Sequence, residues 1–146
     1  MMNEQMYYDL PMTVTWGDCD AAGISYYAKN FDWFTDARFQ FLEHYGFPYM
    51  EAFHNQGIYL VCLKAESDYQ KMLKPLEKII VKTSLVSLTR TRMTFSYKLI
   101  KENGEVAGEG LTRHAIVSPE GRPFNLQKKF PILWEKLVGC FGEGEI

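Results

Sequence analysis

The sequence predicts an α+β fold in which one long helix packs against an antiparallel sheet of at least five strands. Three observations carry this. From Lys29 to Tyr45, the polar residues Lys29, Asp32, Asp36, Gln40 and Glu43 recur at steps of three and four. Phe31, Phe34, Ala37, Phe41, Leu42 and Tyr45 do the same on the opposite side, the mark of a helix with one apolar stripe. In residues 92–101, Met93, Phe95, Tyr97 and Leu99 alternate with Thr94, Ser96 and Lys98, as in a strand with one buried face. Glu102-Asn103-Gly104-Glu105 then reads as a type I′ hairpin turn into a further strand.

The elements follow in order. Residues 7–16 alternate loosely and predict a strand, with Pro11 marking an edge or a bend. Residues 17–28 are rich in small residues and predict a loop. The long helix follows and ends near Gly46. Trp33 and Phe39 flank its polar stripe, so more of it is covered than one sheet face needs. Pro48 to Asn55 predicts a short helix between Pro48 and Gly57. Residues 58–71, 77–90 and 106–118 predict long strands, residues 119–123 a turn, and residues 130–140 a short amphipathic helix. One helix against one sheet gives a layered α+β structure. It cannot cover both faces of five strands, so this aromatic-rich chain is expected to bury the remainder against another copy of itself.

The 146 residues read as a single domain. Apolar residues make up 47% and aromatics 15%, enough for a real core. Sixteen basic and eighteen acidic residues leave a net charge of -2 with no like-charge block, which does not suggest a nucleic-acid binder. Cys19, Cys62 and Cys140 lie far apart and form no CxxC pair. They fit neither a disulfide framework nor a zinc site, and suggest a reducing compartment. The first residues do not read as a signal peptide, and no run approaches a membrane span. The expectation is a cytoplasmic protein without a metal.

The segment Trp16-Gly17-Asp18-Cys19-Asp20-Ala21-Ala22-Gly23-Ile24-Ser25-Tyr26-Tyr27 carries the chemistry. It sets two carboxylates before a small-residue turn that leads into the long helix. A helix start offers unpaired N–H groups and a partial positive charge, which would polarise a carbonyl oxygen placed there. A carboxylate on the same loop could attack the carbonyl carbon or activate water to do so. An aspartate before a helix is also a common cap or turn former.

This segment resembles that of the 4-hydroxybenzoyl-CoA thioesterase family of hotdog-fold acyl-CoA thioesterases. Phe34, Asp36, Ala37 and Arg38 in the helix, and Tyr69 to Glu77 with Ile79 and Val81, are similar to family patterns. At Met72 the family often has Pro, and at Glu77 often Asp. The resemblance runs over about residues 10–124. It implies a hotdog fold and hydrolysis of an acyl-CoA to a free acid and CoA, with Asp20 as nucleophile or general base. It implies that the Tyr27 backbone N–H holds the thioester oxygen. Some relatives have His where this chain has Tyr27. Gly23 suits a close approach of ligand to backbone. The resemblance also implies basic residues for the CoA phosphates; Arg90 and Arg92 are the candidates, since guanidinium groups suit phosphate. No cofactor is implied, because CoA is part of the substrate. The partners implied are an acyl-CoA and a second copy, a homodimer able to pair into a homotetramer, with no nucleic acid and no membrane. The site would lie at the dimer interface, so Asp20 must face a cleft shared by two protomers.

Asp18 reads as a turn residue and Cys19 as packing, its thiol blunted by the adjacent acids. Arg38, inside the apolar stripe, is expected to pair with an acid. His114 reads as structural, and His44 and His54 as solvated. Glu66 and Ser67 lie on a strand that approaches the partner's site in related enzymes. A hotdog hydratase would use an acid with a His in one site, and no His lies near this loop. A non-catalytic acyl-ligand binder or scaffold is the alternative from a different class.

Overall fold

A computed structural model describes residues 1–145. In chain order the elements are β1 (Tyr7–Thr13), α1 (Lys29–His44), α2 (Tyr49–Ala52), β2 (Tyr59–Tyr69), β3 (Lys78–Leu88), β4 (Arg92–Lys101), β5 (Val106–Val117), α3 (Leu126–Lys129) and α4 (Pro131–Phe141). The strands form one five-stranded sheet in the order β1-β3-β4-β5-β2, and every neighbouring pair is antiparallel. β1 and β2 are therefore its edges. Register shifts at Leu85/Ser87, Cys62/Lys64 and Leu99/Ile100 are bulges of the kind that bend strands and increase twist. The predicted α+β class and the long helix are as observed.

α1 lies on one face of the sheet. Its buried residues, Asn30, Trp33, Phe34, Ala37, Arg38, Phe41 and Leu42, repeat at steps of three and one. The covered stripe is thus turned toward Trp33, which is buried, while Phe31 is only half-buried. Phe34 stacks on Tyr97 of β4 with ring centroids 4.4 Å apart. Phe41 meets Phe95 edge-on and stacks on Phe141 of α4. The face of β4 bearing Met93, Phe95, Tyr97 and Leu99 is fully buried, so its alternation marks the core side.

The β4–β5 connection differs from the predicted type I′ turn. That turn needs positive φ at both central residues, and among the described residues Leu76 is the only non-glycine with positive φ. Gly104 has φ 90, its N–H bonds the Lys101 carbonyl, and the Lys101 N–H bonds the Glu105 carbonyl. This is a three-residue loop with glycine in the left-handed position after a turn, and one added residue removes the need for left-handed Asn103.

Candidate active site

The loop before α1 is built from short local contacts. The Thr15 N–H bonds Asp18 Oδ2 at 2.9 Å, closing a capping box around a short 3-10 turn at Trp16–Asp18. Asp18 also lies 3.8 Å from Lys29 Nζ, and its carbonyl accepts the Tyr26 N–H at 2.7 Å. Its turn-forming role is as the sequence suggests. Ser25 N–H to the Leu73 carbonyl, and Leu76 N–H to the Val14 carbonyl, tie the loop to the segment after β2.

Asp20 heads the next turn. Its N–H bonds the Ile24 carbonyl at 3.0 Å, and its own carbonyl accepts the Gly23 N–H at 3.0 Å. Its Oδ1 accepts the Ala22 N–H at 2.8 Å, an Asx turn. Gly23 closes the turn at φ 75, where a side chain would be strained. The second Asp20 oxygen has no hydrogen bond or ion pair among the described residues, and the residue is exposed. Cys19 sits between the acids, and burial first, then Asp18 and Asp20, push its thiol pKa up.

The chain then enters α1. Among the described residues, the N–H groups of Tyr27 and Ala28 make no hydrogen bond. The Tyr27 carbonyl is held by the Tyr69 hydroxyl, which pins the helix entrance to the end of edge strand β2. Around this entrance Trp16, Tyr26, Tyr27, Tyr69, Met72 and Leu76 are all exposed. A carboxylate, two free donors and an apolar rim are thus present, but only as one open wall. Cavities of about 520 and 490 Å³ lie elsewhere, between β1, β3 and the β4–β5 turn, and beside α4.

Arg90 and Arg92 stand far from Asp20 within one chain. β3 starts at Lys78, paired with Thr13 beside the Asp20 loop, and runs eleven residues to Leu88. At 3.4 Å per residue the two ends are about 34 Å apart. Arg90 lies beyond the far end, with Nε 3.7 Å from Glu143, and Arg92 opens β4 there.

A line of buried polar groups crosses the core. Arg38 donates to the Tyr97 hydroxyl at 3.1 Å; Tyr97 meets Thr112 Oγ1 at 2.6 Å, and that oxygen meets His114 Nε2 at 2.8 Å. Among the described residues Arg38 has no ion pair, contrary to the expected acid partner. Its guanidinium instead lies over the Phe39 ring at 5.0 Å. His114 is structural, as expected, although its Nδ1 is buried without a partner. Burial, with the Arg38 charge second, pulls its pKa from 6.5 down to about 3. Folded His114 therefore stays neutral while the unfolded chain gains a proton, so stability falls as pH drops from 6.5 towards 3. The slope contributed is about 1.4 kcal/mol per pH unit. Urea unfolding between these limits is expected to show it in the wild type and lose it in His114→Gln; parallel pH profiles would remove it.

β5 contains two residues that the sequence reading passed over. A Cβ built on Gly110 would lie 2.2 Å from the Phe34 ring, and one on Gly108 would lie 2.9 Å from the Asp68 carbonyl. Glycine inside a strand is the signal for such close approach. Here it seats Phe34, and with it the first turns of α1, on the sheet. Asn30 in the same turns donates to Ser67 Oγ of β2 at 3.0 Å. His54 stacks on Tyr59, whereas His44 is exposed. Among the described residues no three His, Cys, Asp or Glu side chains are grouped to hold a metal ion. No described helix is long and apolar enough to cross a membrane.

Comparison with known proteins places this arrangement in a context. A family model described as the thioesterase-like superfamily matches residues 14–133. A protein of Aquifex aeolicus (strain VF5) bearing a provisional esterase name is 36% identical over 100 residues, 68% of this chain and 77% of its own. A 1,4-dihydroxy-2-naphthoyl-CoA hydrolase of Rippkaea orientalis (strain PCC 8801 / RF-1) is 25% identical over 116 residues, 78% of this chain and 84% of its own. The solved DHNA-CoA thioesterase from Staphylococcus aureus superposes with a TM-score of 0.85 at 26% identity, over 91% of this chain and 89% of that one.

Proposed function

We propose, from the premise that this chain belongs to the thioesterase-like superfamily, that it hydrolyses an acyl-CoA with Asp20 as the reacting carboxylate. The observation that carries the reading is the presence on one loop of a free Asp20 oxygen and of the unbonded N–H groups of Tyr27 and Ala28. The thioester oxygen accepts from the Tyr27 N–H, where the partial positive charge of the 16-residue α1 favours the negative charge that develops. Asp20 then either attacks the carbonyl carbon directly or takes a proton from a water that attacks it. In both routes a C–O bond forms, the C–S bond breaks, and CoA leaves as a thiolate that takes up a proton. The direct route ends when water cleaves the mixed anhydride.

The second wall of the site comes from another copy. β2 is an edge strand whose far side is unpaired, and it carries exposed Val61 and Leu63. Antiparallel pairing of two such edges would bring the partner's β3–β4 turn to the Asp20 end of this chain. That offers a way for Arg90 and Arg92 of one protomer to serve the CoA phosphates at the site of the other. An aromatic acyl group is favoured by the exposed aromatic rings at the helix entrance and by the naphthoyl-CoA substrate in the hydrolase relative's name.

The test is release of free thiol from a panel of aromatic and aliphatic acyl-CoAs. Turnover is expected, highest with aromatic acyl groups. Tight binding without release from any member would favour the non-catalytic acyl binder instead.

A further inference from the structure

The segment between β2 and β3 holds its backbone against a local preference. Leu76 has φ 72, and among the described residues it is the only non-glycine with positive φ. It is the third residue of the turn Lys74-Pro75-Leu76-Glu77, which the Glu77 N–H closes on the Lys74 carbonyl at 3.2 Å. Proline second and positive φ third are the marks of a type II turn, whose third place calls for glycine. A bulge makes the same demand. Leu76 and Glu77 together face Val14: the Leu76 N–H bonds the Val14 carbonyl at 2.7 Å, and the Val14 N–H bonds the Glu77 carbonyl at 2.8 Å. The left-handed residue of such a bulge is ordinarily glycine as well. Here both demands fall on a leucine.

The surroundings enforce this conformation. Glu77 Oε1 accepts the Lys74 N–H at 3.2 Å, and Glu77 Oε2 lies 3.4 Å from Lys101 Nζ, which also donates to the Met72 carbonyl at 3.3 Å. Strain persists where neighbours over-determine it, and it gathers at ligand sites. The leucine does not recover the cost by packing, since Leu76 is 65% exposed whereas Leu73 is 3% exposed. The segment also braces both ends of the Asp20 loop. Val14 lies before that loop, and the Ser25 N–H, two residues before Tyr27, bonds the Leu73 carbonyl at 2.8 Å. Leu76 thus stands with exposed Tyr69 and Met72 on the rim of the helix entrance.

We propose that Leu76 is a specificity residue for the acyl group of the thioester, held in a strained turn so that its side chain covers that group when substrate binds. Contact with substrate buries apolar surface that the free chain leaves in water, a gain that glycine at this position could not supply. The acyl group is the part of the substrate that fits. The pantetheine arm of CoA carries amides, and an aliphatic side chain offers them no hydrogen bond. This role rests on the hydrolase reading and adds to it what selects among acyl groups.

The experiment compares benzoyl-CoA with acetyl-CoA by thiol release, alongside thermal melts. Leu76→Gly relieves the backbone and removes the contact. It is expected to raise the melting temperature by a few degrees. It is also expected to lower the ratio of kcat/KM for benzoyl-CoA to that for acetyl-CoA roughly tenfold, mainly through KM. Leu76→Asn, whose residue tolerates the left-handed conformation but is polar, is expected to lower the ratio in the same way. Leu76→Met keeps apolar bulk and is expected to keep the ratio. An unchanged ratio in Leu76→Gly would overturn the proposal. So would a lower melting temperature, which would show that the side chain serves folding or assembly. A wild type that releases thiol while Leu76→Gly keeps its ratio sinks this role alone; a wild type that releases none sinks the hydrolase reading, and this role with it.

Discussion

Asp20→Asn is expected to lower acyl-CoA turnover by roughly 10²–10⁴-fold, the range for loss of a positioned acid or base. The fold should be unaffected. The amide oxygen can still accept the Ala22 N–H that Asp20 Oδ1 holds at 2.8 Å, so the turn is kept while the negative charge is lost. Asp18→Asn is the control. Its oxygen can keep the Thr15 N–H, and the change weakens only the 3.8 Å attraction to Lys29, a partly exposed pair that contributes little. Thiol release followed beside a thermal melt separates the cases. Asp20→Asn turning over within a few-fold of the wild type would remove Asp20 from the chemistry.

The second large effect is on stability. Gly110→Ala is expected to cost about 1–3 kcal/mol, the usual range for overpacking a filled core. Its new methyl would lie 2.2 Å from Phe34 Cε2 and 2.4 Å from Cζ. The ring cannot withdraw freely, because one of its faces is stacked on Tyr97, with centroids 4.4 Å apart. The strain falls on the early turns of α1, directly after Tyr27. Phe34→Leu by itself loses packing, but it leaves room for the methyl that Gly110→Ala introduces. The double variant is expected to recover about 1 kcal/mol relative to the sum of the single losses. Strict additivity in urea unfolding would show that the contact does not limit the packing.

Much of the fold was readable because its signals are local. The three-and-four spacing across α1 and the alternation in β4 each reflect one element meeting one buried surface. The misread features depend on groups distant in sequence. Asn-Gly at 103–104 favours a two-residue turn, yet the loop takes a third residue. Arg38 looked like half of an ion pair, and its partner is the hydroxyl of Tyr97, 59 positions away. Gly110 carries no side chain from which a partner could be read; the need for glycine arises only when Phe34 is laid over it.

The same division holds for the candidate site. The sequence alone determined the carboxylate loop, the helix behind it and the family resemblance, because fifteen or so consecutive residues build that wall through their own turns. Tertiary structure decided that Arg90 and Arg92 lie at the far end of β3 from Asp20 and that β2 is an edge. These are consequences of strand order and register. Order and register are set by which surfaces are buried together, and no single stretch of chain contains that information.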